Sequence, residues 1–112
     1  KKNLEYAGHT VETATNGAEA LKMAKKSPPD MIISDGLMPV MDGFKLCREV
    51  KKDEQLRKIP FIFYTATYMD QKDKKLALYL GASRYILKPV ETDEFIQIIN
   101  EVFHYIHLIQ LL

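Results

Sequence analysis

Residues 30–43 run Asp-Met-Ile-Ile-Ser-Asp-Gly-Leu-Met-Pro-Val-Met-Asp-Gly, and this stretch decides the fold. Met31-Ile32-Ile33-Ser34 lacks the polar alternation of a half-exposed strand, so it predicts a strand covered on both faces. Asp35–Gly43 predicts a loop. Asp42 is placed to cap a helix from about Gly43 to Lys52, with Phe44, Leu46, Cys47 and Val50 turned inward. A strand, a loop bearing a carboxylate, and an amphipathic helix form the repeating unit of a parallel α/β sheet.

The same alternation holds on either side. Thr10–Ala14 is a short β-branched stretch closed by Asn16-Gly17. Ala18–Lys26 has helical spacing and stops at Ser27-Pro28-Pro29, because proline cannot continue a helix. Ile59-Pro60 opens a strand at Phe61–Thr65. A helix over about Asp70–Leu80 ends at Gly81, and Tyr85-Ile86-Leu87 is a strand stopped by Lys88-Pro89. Thr92 is placed to cap a last helix, with Glu91, Asp93 and Glu94 suiting its positive end. That helix is expected to reach Leu112.

The chain has 112 residues, 46% hydrophobic and 28% charged, which fits one soluble domain and excludes a disordered tail or a disulfide scaffold. Sixteen Lys and Arg against 15 Asp and Glu give a net charge of +1, too little to draw in nucleic acid or an acidic membrane by long-range field. The single cysteine, Cys47, has no partner within the chain, which predicts a reducing, cytoplasmic setting and a core thiol. No apolar run approaches the ~20 residues of a membrane span, and Lys1–Glu5 lacks the apolar centre of a signal peptide.

Open α/β sheets do their chemistry at the carboxyl ends of strands. Asp35, Thr65 and Lys88 stand at three successive strand ends. Alone, each has an ordinary explanation: a turn residue, a β-former and a solvated charge. Together they would line one cleft with a carboxylate, a hydroxyl and an ammonium group, since neighbouring strands lie about 4.8 Å apart.

With these residues the sequence resembles the receiver domain of two-component response regulators. The resemblance rests on Ile32-Ile33-Ser34-Asp35, Met38-Pro39, Met41-Asp42-Gly43, Thr65-Ala66, Gly81-Ala82 and Tyr85-Ile86-Leu87-Lys88-Pro89, and covers the chain to about Phe103. It implies a flavodoxin-like three-layer α/β/α fold around a parallel sheet. It also implies that Asp35 is the phosphoacceptor, taking a phosphoryl group from a sensor histidine kinase or phosphotransfer protein. Asp35 and the backbone carbonyl of Leu37 would bind Mg²⁺. Thr65, the N–H of Ala66 and Lys88 would hold the phosphoryl oxygens, Tyr85 would be the switch aromatic, and the Lys88-Pro89 peptide would be cis.

Several departures stand out. The acidic pair that the family carries at the end of its first strand has no counterpart here. The first strand and most of the first helix are expected to be absent, leaving the centre of the sheet open between Thr10–Ala14 and Met31–Ser34. Gly36 replaces a larger apolar residue, and Leu37 offers no group to orient a water, which predicts a long-lived phosphorylated state.

The expected organisation is one receiver domain over residues 1–112, with a core at 1–103 and a helical extension at 104–112 leading toward an output domain. Phe95, Ile98, Val102, Tyr105, Ile109 and Leu112 alternate spacings of three and four, a heptad seam that predicts a homodimer through the C-terminal helix. His9 is expected in a turn. Lys51-Lys52 and Lys72-Lys74-Lys75 are expected on solvated faces, and Glu101, His104 and His107 are expected on a helix surface without metal. The reading is a signalling domain, not an enzyme acting on other substrates. A phosphorylation-independent pseudo-receiver that docks partners is the alternative. An aspartyl-phosphate phosphatase ranks below both, because that class needs a second Asp where Leu37 stands.

Overall fold

The computed structural model describes residues 5, 8–35, 42–65, 71–88, 90–102 and 108–111. Five strands, β1 (Thr10–Thr13), β2 (Met31–Ser34), β3 (Phe61–Thr65), β4 (Arg84–Leu87) and β5 (Leu108–Leu111), form one parallel sheet in the order β1-β5-β2-β3-β4. Four helices connect them: α1 (Gly17–Lys26), α2 (Gly43–Lys52), α3 (Gln71–Tyr79) and α4 (Thr92–Val102).

Side chains alternate across the sheet, as the period of two requires. Ile32, Phe61 and Phe63 face Ala20 and Ala24 of α1 and Leu46, Cys47 and Val50 of α2. Met31, Ile33, Ile62, Ile86 and Ile109 face Phe95 and Ile99 of α4. All four residues of β2 are buried, as its apolar run predicts.

The helix starts follow from their caps. The Asn16 side chain accepts from the Glu19 N–H at 2.8 Å, and that of Asp42 accepts from the Lys45 N–H at 2.8 Å. Gly81 closes the turn after α3 at φ +108°, a left-handed conformation that favours glycine. A Cβ there would also come within 3.1 Å of the Lys51 side chain.

The centre of the sheet differs from expectation. The helix predicted to reach Leu112 ends at Val102, and Leu108–Leu111 is a strand. It lies in the place expected to stand open, with Thr10↔Leu108 and Thr13↔Leu111 on one side and Met31↔Ile109 and Ile33↔Leu111 on the other. The physical reason is the gap itself: two unsatisfied strand edges reward an apolar strand more than solvent rewards another helical turn. The helical extension and its heptad seam are therefore corrected. Tyr105 and Leu112 of that seam lie outside the described residues, as do His104 and His107.

Two smaller expectations also change. His9, expected in a turn, instead lies between the turn at Gly8 and β1, and it is buried. Lys51 is not on a solvated face: its Nζ donates to the carbonyls of Arg57 at 3.0 Å and Ile59 at 2.8 Å, and burial lowers its pKa. Cys47 is the core thiol expected, and burial pushes its pKa up to about 11. It should stay protonated at pH 8 and react with iodoacetamide at least tenfold slower in the native state than in urea, because the thiolate is the nucleophile. Equal rates in the two states would contradict that burial.

Candidate phosphoacceptor site

The strand ends converge as the sheet order requires. Asp35 directly follows β2, and Thr65 is the last residue of the neighbouring β3. The Thr65 hydroxyl donates to Asp35 Oδ1 at 2.9 Å, a charge-assisted contact between residues thirty positions apart. Thr65 is fully buried and Asp35 half-buried, so the carboxylate reaches the surface from a fixed base. Ser34 helps fix that base: its buried hydroxyl donates to the Asp35 carbonyl at 2.8 Å. The sequence reading places Ser34 in the strand and in the motif but gives it no role, since a lone hydroxyl ending an apolar strand carries little signal.

Lys88 follows β4 and is tied to the same corner through its backbone, whose N–H donates to the Thr65 carbonyl at 2.8 Å. Its exposed ammonium lies 4.6 Å from the centroid of the Tyr64 ring, a cation–π contact. Tyr64 in turn stacks on Phe95 of α4 at 4.6 Å, so it forms a rigid rest for the lysine. Tyr64 is a second residue that sequence reasoning missed; as a polar-edged aromatic in an apolar strand it carried little signal.

Tyr85 is half-buried, with its ring 6.0 Å from that of Phe63 and its hydroxyl within the core. It therefore points into the layer beneath α1 and α2, beside the row Phe44–Phe63–Phe61. Leu37, Ala66 and Pro89 lie outside the described residues. Asp35, Thr65, Lys88 and Tyr85 are the four predicted site residues that can be placed; Asp35, Thr65 and Lys88 meet at the carboxyl ends of β2, β3 and β4, whereas Tyr85 lies within β4 and packs into the layer beneath α1 and α2.

A hard divalent cation takes oxygen ligands and usually keeps several waters. Among the described residues no group of three or more His, Cys, Asp or Glu side chains could hold a metal. Strand β5, the neighbour of β2, contributes Leu108, Ile109, Gln110 and Leu111 and no carboxylate.

A model of the response regulator receiver domain matches residues 1–100. The chain belongs to that family. The receiver domain is 38% identical over 97 residues to the probable transcriptional regulator ycf29 of Porphyra purpurea, covering 87% of this chain and 46% of that protein. It therefore spans less than half the length of that relative. Among solved structures it resembles the signal receiver domain of a signal transduction histidine kinase from Syntrophus aciditrophicus, with a TM-score of 0.83 and 36% identity over 93% of this chain and 78% of that one. It also resembles the receiver domain of the sensor histidine kinase PA1611 from Pseudomonas aeruginosa, with a TM-score of 0.79 and 30% identity over 89% of this chain and 81% of that one. The latter is described with a magnesium ion coordinated in its active site cleft. A flavodoxin-like signalling module is the result. Among the described residues no helix is long and apolar enough to cross a membrane.

Proposed function

We propose that this receiver domain accepts a phosphoryl group on Asp35 from a phosphohistidine of a sensor kinase or phosphotransfer protein, and that it controls a partner or output domain by the resulting change of shape. The observation that carries this reading is the 2.9 Å contact from the Thr65 hydroxyl to the Asp35 carboxylate, at a strand-end corner that Lys88 also borders. A carboxylate oxygen of Asp35 attacks phosphorus in line. A P–O bond forms, the P–N bond to the imidazole breaks, and the imidazole keeps the electron pair and takes up a proton. Asp35 and the Leu37 carbonyl would hold Mg²⁺, which supplies charge neutralisation on the phosphoryl oxygens when bound.

The Thr65 hydroxyl, which now donates to Asp35, is placed to donate to a phosphoryl oxygen instead. Its movement would open the space that Tyr85 needs to turn further inward. Acyl phosphate formation supplies the free energy that holds this second arrangement.

The test uses acetyl phosphate and Mg²⁺ with intact-mass detection. The wild-type chain should gain one phosphoryl group, and Asp35→Asn should gain none. Equal phosphate uptake by both would overturn the assignment and favour a docking module that works without phosphorylation.

Lys88 has a separable role. Its side chain is exposed and rests on Tyr64, so Lys88→Ala should change stability by no more than about 0.5 kcal/mol. That variant should still accept phosphate but lose the phosphorylation-dependent amide shifts around Thr65 and Tyr85. A wild-type set of shifts in phosphorylated Lys88→Ala would contradict the role.

A further inference from the structure

We propose that Tyr64 holds the Lys88 ammonium in a resting position away from Asp35, and that a phosphoryl group on Asp35 has to draw the ammonium off this ring. Tyr64 is then a positioning residue that favours the resting arrangement over the phosphorylated one. The proposal rests on the reading of Asp35 as the phosphoacceptor.

Both ends of the contact are fixed. The Lys88 backbone N–H donates to the Thr65 carbonyl at 2.8 Å. The Tyr64 ring stacks on Phe95 with centroids 4.6 Å apart and planes 24° apart, and Phe95 is itself buried. What is left to move is the four-carbon stem of the lysine. Its Nζ lies 4.6 Å from the ring centroid, inside the ~6 Å reach of a cation–π contact. Among the described residues the ammonium makes no ion pair.

The last two residues of β3 separate two destinations for that stem. Successive side chains on a strand point to opposite faces. Tyr64 packs in the layer of α4, whereas Thr65 follows the alternation of Phe63 and gives its hydroxyl to Asp35 at 2.9 Å. Lys88 follows Leu87, the register partner of Thr65, so its stem starts beside both. An ammonium over the Tyr64 ring is seated on the α4 side of β3. A phosphoryl group on Asp35 would sit where the Thr65 hydroxyl points.

Charge decides which destination is occupied. A phosphoryl group adds negative charge and three strong acceptor oxygens to what the bare carboxylate offers. An exposed cation–π contact is weak enough to be broken in that exchange, yet strong enough to shift it about two- to fivefold. Tyr64 therefore sets how readily Lys88 answers phosphorylation without touching the reacting atoms.

The test titrates beryllofluoride, a mimic of the phosphoryl group, in the presence of Mg²⁺. NMR follows the amide signals of Thr65 and Tyr85 and the ε-methylene protons of Lys88. Before any addition, the ring should shift those protons upfield in the wild type and in Tyr64→Phe, but not in Tyr64→Leu. In the wild type the upfield shift should vanish on saturation. Tyr64→Leu should bind beryllofluoride about two- to fivefold more tightly than the wild type, and Tyr64→Phe about as tightly. In a Lys88→Ala background, Tyr64→Leu should leave the affinity unchanged, because no ammonium is released. Unshifted methylene protons in the wild type, a shift that persists at saturation, or equal affinity in wild type and Tyr64→Leu would overturn the proposal. So would equal tightening with and without Lys88, since the effect would then be one of packing alone. A wild-type chain that does not respond to beryllofluoride would instead overturn the phosphoacceptor reading, and this proposal with it.

Discussion

Ile109→Asp is expected to unfold this domain at room temperature. Ile109 is fully buried, sits at the centre of the sheet between Val11 and Met31, and faces the α4 layer. Removing its side chain costs about 2–5 kcal/mol through lost burial and a cavity. A carboxylate in that place adds the cost of burying an unpaired charge or of keeping it protonated. The sum reaches or exceeds about 5 kcal/mol, which is comparable with the whole stability of a domain this size. Urea unfolding followed by circular dichroism would read the effect. Had residues 104–112 continued as a surface helix, the same change would alter stability by only about 0.5 kcal/mol. A near-neutral Ile109→Asp would therefore contradict the central position of β5.

Phe63→Ala should cost about 3–5 kcal/mol. Phe63 is fully buried and is the hub of the aromatic row, with centroid distances of 5.0 Å to Phe44, 5.1 Å to Phe61 and 6.0 Å to Tyr85. Its loss removes the packing of α2 on β3 and the wall against which Tyr85 rests. The variant, if folded at low temperature, should also show a Tyr85 ring that flips freely on the NMR timescale. A loss below about 1 kcal/mol would mean that the row does not act as the core of that layer.

Much of the architecture was legible because local and global signals agreed. Met31–Ser34 is apolar throughout because both faces are covered, and it emerged as β2 with its predicted ends. Asp42 and Gly81 marked a helix start and a helix stop through side-chain and backbone chemistry that needs no distant partner. The site was legible for a related reason. Consecutive parallel strands place their carboxyl ends together, so strand order alone groups Asp35, Thr65 and Lys88, and the Thr65–Asp35 and Lys88–Thr65 hydrogen bonds join them.

The C-terminal region was misjudged because its signal is ambiguous. Tyr105, Ile109 and Leu112 continue the helical spacing of Phe95, Ile98 and Val102, and short apolar runs suit helix and strand alike. What decides between them is an edge supplied by Thr10–Thr13, nearly a hundred residues earlier, and that information is absent locally. Lys51 was misread for a similar reason: the Arg57 and Ile59 carbonyls that hold its ammonium depend on the path of the loop after α2.

The identity of Asp35 as the phosphoacceptor is tested most directly by trapping the acyl phosphate chemically. The chain would be treated with acetyl phosphate and Mg²⁺, reduced with borohydride, digested and sequenced by tandem mass spectrometry. Reduction converts an aspartyl phosphate to homoserine. Homoserine should appear at position 35 and nowhere else, and only after phosphorylation. Homoserine at another aspartate, with residue 35 unchanged, would contradict the account.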